Sequence, residues 1–281
     1  MESQKRHGRV FSFEFFPPKS AEAHEAFRAA LAQLAPLNPR FFSVTFGAGG
    51  STRERTLETV REITDAGHAA APHLSCVGAT REGVREVLAT YKGLGIRHIV
   101  ALRGDLPSGM VDPGDFRYAS ELVAFIRAET GGHFHIEVAA YPEFHPQASR
   151  AEDDLEHFRE KVACGADSAI TQYFYNADAY YWFIDACEGR GLEIPIVPGI
   201  MPITNHRQLL RFSEACGAEV PRWIRRRLED FADDGESLRS FGLDVTTELC
   251  AELLAAGAPG LHFYTLNRAA AASVIWERLG L

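Results

Sequence analysis

The chain has 281 residues, 46% apolar and 24% charged, with a net charge of -9 and a sequence pI near 5.7. That length can bury a large core, and the acid excess argues against a nucleic-acid or membrane-surface protein, both of which usually show a basic face. The five cysteines (Cys76, Cys164, Cys187, Cys216, Cys250) form no C-x-x-C pair, no secretory leader is evident, and no run reaches the ~18 apolar residues of a membrane span, so a reducing cytoplasm is expected.

Val10 to Phe16 (VFSFEFF) predicts a strand with Val10, Ser12, Glu14 and Phe16 on one face and Phe11, Phe13 and Phe15 on the other. Ser20 reads as the N-cap of a helix carrying Phe27, Leu31 and Leu34 on one stripe. Phe41 to Phe46 is a second strand, and Gly47 to Thr52 reads as a tight turn and cap into a helix that ends near Ala66. Ala71 to Ser75 is strand three, and Thr80 to Leu94 a helix stopped by Gly95. Strand four, Ile99 to Leu102, runs into Arg103-Gly104-Asp105-Leu106-Pro107, a cation and an anion at the end of a buried strand.

The cadence continues with a helix from Tyr118 to Thr130 and strand five from His135 to Tyr141. Ser149 and Glu152 have the spacing of a capping box for a helix to Cys164. Strand six is Ser168 to Tyr173, followed by a helix from Asn176 to Arg190 and strand seven from Ile194 to Ile200. A long helical region, Thr204 to Ala256, includes a segment near Trp223 to Phe231. Strand eight is Gly260 to Leu266, and Ala269 to Leu279 is the last helix.

Eight strands, each followed by a helix, predict a single-domain (β/α)8 TIM barrel over residues 1–281. A doubly wound open sheet would favour fewer strands and a glycine-rich dinucleotide turn; neither G-x-G-x-x-G nor the P-loop pattern is present. Active-site groups of a barrel sit at the C-terminal strand ends. Here these are Glu14, Thr45, His73, Arg103 with Asp105, Tyr141, Gln172 and Tyr264 to Arg268.

None of the four lysines, Lys5, Lys19, Lys92 and Lys161, lies in a predicted strand, which disfavours a Schiff-base aldolase. Glu14, His73 and Asp105 lack a metal-ligand spacing, and the H-x-H of His133 and His135 falls at the wrong end of its strand, so no metal is expected. An acid, a cation with an anion, an amide and aromatics suit a planar, phosphate-bearing cofactor better than hydrolysis. Arg225 to Arg227 reads as a solvated helix face, and Ala269 to Ala272 as close helix packing.

The motifs carry a resemblance. Phe13-Glu14-Phe15-Phe16-Pro17-Pro18, Ser43-Val44-Thr45 with Gly47-Ala48, Ala71-Pro72-His73-Leu74, Arg97 to Pro107, Ala139-Ala140-Tyr141-Pro142-Glu143 with His145-Pro146, Ala169 to Gln172, Pro198-Gly199-Ile200 and His262 to Arg268 together resemble methylenetetrahydrofolate reductases, in order and over essentially the whole chain. The resemblance implies an FAD-dependent oxidoreductase of one-carbon metabolism and methionine biosynthesis. It would move a hydride from NADH or NADPH through flavin to 5,10-methylenetetrahydrofolate, giving 5-methyltetrahydrofolate.

It also implies roles. Glu14 resembles the general acid and Asp105 the carboxylate near flavin and pterin, both also touching substrate. Gln172 and Arg268 match folate contacts, and Phe212 matches a residue that stacks with nicotinamide or folate. Thr45, His73, Arg103, Gly104, Asp105, Ala139, Tyr141, His145, Asp154, His157 and Lys161 match FAD-contacting positions. Burial of Glu14 in the barrel mouth is expected to raise its pKa, as a general acid needs. Without the resemblance, Lys161 reads as an exposed helix charge. A homo-oligomer is expected. Family members with a C-terminal regulatory region are longer, so no inhibition by S-adenosylmethionine is expected. Two other readings remain open: a flavin-dependent proline-type dehydrogenase and a non-catalytic folate- or flavin-binding barrel.

Overall fold

The alternating strands and glycine-stopped helices build one barrel. The structure, a computed structural model, describes residues 1–46, 50–104, 114–231 and 233–281, with residues 50–52 described by backbone alone. Asp105, Gly47 and Ala48 lie outside the described residues. The chain runs β1 (Val10–Phe15), α1 (Ala21–Leu34), β2 (Phe41–Val44), α2 (Gly50–Asp65), β3 (Ala70–Ser75), α3 (Arg81–Gly93), β4 (His98–Leu102), α4 (Ala119–Thr130), β5 (His135–Ala140) and α5 (Ala151–Ala163). It continues with β6 (Ser168–Thr171), α6 (Ala177–Glu188), β7 (Ile196–Val197), β8 (Gly199–Ile200), α7 (His206–Cys216), α8 (Arg222–Asp230), α9 (Gly235–Ala256), β9 (Gly260–Tyr264) and α10 (Ala270–Arg278).

All the strand pairs are parallel, in the order β7-β6-β5-β4-β3-β2-β1-β9-β8. The predicted seventh strand is broken at Pro198, which has no N–H to give a ladder. Its halves still join the sheet ends: Ile196 and Val197 pair with Ala169 and Ile170, and Gly199 and Ile200 with His262 and Phe263. The His262 N–H donates to the Pro198 carbonyl at 2.9 Å, so the proline serves the ring as an acceptor.

The strands alternate as their sequences require. Phe13 and Phe15 are fully buried in the layer between sheet and helices, with Phe27 and Leu31 of α1 and Phe42 of β2. Each large apolar side chain buried there contributes about 1.5–3 kcal/mol. Inside the barrel, Phe41, Ala71, Val100 and Ile170 form an apolar layer. Ser12, Glu14, Ser43, His73, Glu137, Ser168, Thr171 and His262 are the buried polar groups of the strands.

Caps explain several helix starts: Ser20 accepts from the Ala23 N–H, Thr80 from Gly83, Asn176 from Asp178 and Asn205 from Gln208. The capping box at Ser149 does not form. The N-cap of α5 is Arg150, with no side-chain cap bond, and Ser149 lines a groove at the barrel mouth instead. The long helical region divides into α7, α8 and α9 around a second core of Tyr173, Tyr175, Ile203, Leu209, Ile224 and Leu228. Arg225 to Arg227 are exposed as expected, while Ala269 and Ala272 are buried. No helix among the described residues is long and apolar enough to cross a membrane.

Candidate active site

Two connected cavities occupy the C-terminal end of the barrel. The central one, about 480 Å3, is lined by Glu14, Phe16, His73, Leu102, Ala139, Tyr141, Gln172, Phe212, His262 and Tyr264, among others. A groove of about 410 Å3 lies beside it, lined by Arg103, Gly104, Tyr118, His145, Asp154, His157 and Lys161. Leu102, Ala139 and Tyr141 border both.

Glu14 owes its place to strand alternation and to a clamp at the end of β1. The Thr265 hydroxyl donates to the Glu14 carbonyl at 2.6 Å. The Asn267 side chain accepts from the Phe16 N–H at 2.8 Å and donates to its carbonyl at 2.9 Å. The Glu14 side chain is therefore held inside the mouth, with 9% of the residue exposed. Its Oε2 lies 3.3 Å from His73 Nε2 and 3.7 Å from His262 Nε2. Both imidazoles face the carboxylate closely enough to hold it by hydrogen bonding and charge together. His262 is oriented from behind, its Nδ1 2.7 Å from Ser12 Oγ.

This arrangement corrects the expected titration of Glu14. Burial does push its carboxyl upward, but His262 and His73 together outweigh burial and hold it down to about 2. With that pKa Glu14 is a carboxylate at neutral pH. His262 is the residue that sequence reasoning left out of the site. Its signal was present: two positions before Tyr264 on an alternating strand, it shares Tyr264's face.

Lys161, which its helix position alone reads as exposed, is half-buried in the groove, and its amine donates to the Ala139 carbonyl at 2.6 Å. Desolvation brings its pKa down to about 8, against a small opposing pull from Asp154. Arg103 donates to the Gln147 side chain and, more weakly, to the Gly104 carbonyl at 3.4 Å. Gly104 has φ +84°, and a Cβ there would meet Ser75 Oγ at 2.0 Å, so only glycine fits this turn. His145 donates its backbone N–H to Asp154 Oδ2 at 3.1 Å. His157 stacks on Tyr118 with ring centres 5.0 Å apart.

The remaining expected residues divide. Gln172 and Phe212 line the central cavity, whereas Thr45 borders neither it nor the groove. Its N–H donates to the Phe15 carbonyl, and its own carbonyl accepts from Thr56. Arg268 lies in a third cavity of about 840 Å3, with Arg207, Arg211 and Arg239, which Phe212 joins to the central one.

A groove with cations beside an apolar floor, opening into a cavity walled by aromatics, fits a planar ring system with a phosphate-bearing tail. The desolvated amine of Lys161, whose hydrogen bond goes to a neutral carbonyl, is the sharpest sign, because a buried cation is costly unless fully paired. FAD has that chemistry, and the residues present fit it.

The family model for methylenetetrahydrofolate reductase matches residues 1–280. The chain belongs to the methylenetetrahydrofolate reductase family. It is 41% identical over 278 residues to the 5,10-methylenetetrahydrofolate reductase of Pectobacterium carotovorum, covering 98% of this chain and 91% of that one. A Zea mays relative named methylenetetrahydrofolate reductase (NADH) 1 is 39% identical over 286 residues, covering 97% of this chain and 48% of its own length. In fold, the chain resembles a Clostridium thermocellum protein described as binding two copies of 5-methyl-5,6,7,8-tetrahydrofolic acid, with TM-score 0.68, 16% identity and coverage of 99% and 96%. At that identity the likeness speaks for the barrel alone.

Proposed function

We propose that this chain reduces 5,10-methylenetetrahydrofolate to 5-methyltetrahydrofolate with NADH or NADPH, by a ping-pong relay through bound FAD. The observation that carries the reading is Glu14, buried between two imidazoles in a cavity continuous with a cation-lined groove. The names of the family relatives support the substrate, and the maize relative's name supports a nicotinamide donor.

Bound FAD would supply the hydride-relay chemistry between nicotinamide and folate. Arg103, Lys161 and His145 would hold its phosphate-bearing tail, and Ala139 and Tyr141 would border its ring. Asp105, next in sequence to Gly104, would add a carboxylate near ring and pterin. Gln172 and Phe212 position folate, and Arg268 takes its carboxylate end. Glu14 delivers the proton needed when the five-membered ring opens at a nitrogen. For that, Glu14 must first become protonated. Bound reactants remove more water and push its pKa upward, against the pull of His73 and His262, so the two imidazoles govern when the acid is loaded.

The test is the visible spectrum of the purified protein under anaerobic conditions. The account expects a yellow protein, bleached by NADH or NADPH and recoloured by methylenetetrahydrofolate or by a quinone acceptor. A colourless protein that takes up no FAD overturns it. Reduction of the flavin by proline, with no response to methyltetrahydrofolate, would favour the proline-type dehydrogenase. Failure of both nicotinamides to bleach the flavin would favour a non-catalytic binder.

A further inference from the structure

We propose a second site, for a divalent transition metal such as Zn2+, at the base of the barrel and built from His98, His135 and Glu137. His135 and Glu137 are alternate residues of β5 and share a face, and His98 of β4 is the register partner of His135. One potential ligand atom from each lies within 4.8 Å of the others. His135 Nε2 and Glu137 Oε1 are 3.3 Å apart. That is close to the ~3.3 Å ligand–ligand edge of a tetrahedron with bonds of about 2.0–2.1 Å. His98 Nδ1 is buried and has no hydrogen-bond partner.

Two imidazoles with one carboxylate suit zinc-like ions rather than Mg2+ or Ca2+, which prefer oxygen donors throughout. The groups around the ligands are already oriented. Ser168 Oγ donates to Glu137 Oε2 at 2.5 Å and lies 2.7 Å from His135 Nε2, a contact that a bound metal would replace. Asp167 Oδ2 lies 4.0 Å from His135 Nδ1, the nitrogen away from the proposed metal. A cavity of about 590 Å3 opens onto His98 and His135 and supplies an entry path. Three arginines also line it: Arg127 is engaged with Asp167 and the Gly165 and Phe134 carbonyls, Arg97 with His133, and Arg40 opposes positive charge at His98, a repulsion the metal must overcome.

This end of the barrel is opposite Glu14, so the metal would be structural, pinning β4 to β5. A metal there would share with the His135 imidazole and the Ser168 hydroxyl in compensating the Glu137 carboxylate, which is only 4% exposed as a residue.

The test uses untagged, flavin-loaded protein, freed of metal by a chelator and titrated with Zn2+ in a calorimeter. The proposal expects one equivalent to bind and the unfolding temperature to rise with it. His98→Gln and His135→Gln should each weaken uptake at least ~10-fold, since loss of a supporting residue alone costs 10–100-fold. Both variants should keep the flavin spectrum, which checks their folding. Co2+ in place of Zn2+ should give the visible bands of a tetrahedral nitrogen–oxygen site without a thiolate charge-transfer band. Absence of stoichiometric uptake overturns the proposal. So does unchanged uptake in both variants, or a thiolate band, either of which puts the metal elsewhere.

Discussion

Replacing Lys161 by methionine keeps the length of the stem and removes the amine. The lysine pKa falls from an ordinary 10.5 to about 8 because its amine is desolvated. At about 1.36 kcal/mol per pKa unit, that depression has a ceiling of about 3 kcal/mol. Since part of the side chain is accessible, screening reduces the expectation to about 1–2 kcal/mol. The folded pKa lies below the unfolded one, so the amine's penalty is present in full below pH 8. It is relieved as pH rises from 8 towards 10.5. The flavin-free methionine variant should therefore be more stable than the parent by about 1–2 kcal/mol at pH 7, with the gain shrinking by pH 10. FAD should at the same time bind at least ~10-fold more weakly, because a charge-assisted hydrogen bond is worth about 1.5–3 kcal/mol. Urea unfolding at the two pH values and FAD fluorescence titration read both effects. A variant less stable than the parent at pH 7, or a difference that does not change with pH, would refute the reasoning.

Other substitutions test other parts of the site. Arg103→Ala should weaken FAD more than Lys161→Ala, because a guanidinium can hold two phosphate oxygens from a strand end; equal dissociation constants would contradict this. Gly104→Ala should cost about 1–3 kcal/mol in urea, since it combines a positive φ with a Cβ pressed onto Ser75, whereas Gly191→Ala, with the same sign of φ and open space, should cost less. His262→Gln should raise the Glu14 pKa, because burial then meets only His73; the pH dependence of the folate half-reaction should show its acidic group moved upward.

Much of this site was legible in the sequence because a strand of period two declares its faces. VFSFEFF sends Phe13 and Phe15 outward and Glu14 inward whatever the rest of the chain does. The glycine-stopped helices likewise set the order of a barrel, and thus which strand ends converge. Features set by distant partners were harder to read. The depressed pKa of Glu14 depends on His73 from β3 and His262 from β9, whose approach no local pattern encodes. Lys161 looked exposed because helical spacing does not reveal that its amine reaches the Ala139 carbonyl. Ser149 had the spacing of a cap, but α5 begins after Arg150. The break at Pro198 was missed by the strand pattern, although a proline cannot donate in a ladder.

The central claim, Glu14 as the proton donor to folate, is tested most directly by stopped-flow absorbance of the two half-reactions in Glu14→Gln. Glutamine keeps the size and polarity of the side chain but has no acidic proton. The account predicts a folded, yellow variant that is reduced by nicotinamide at nearly the normal rate. Its reoxidation by methylenetetrahydrofolate should be slower by at least ~10²-fold, the lower range for loss of a general acid. Equal slowing of both halves would show that Glu14 positions the cofactor instead, and an undiminished folate half-reaction would place the acid elsewhere.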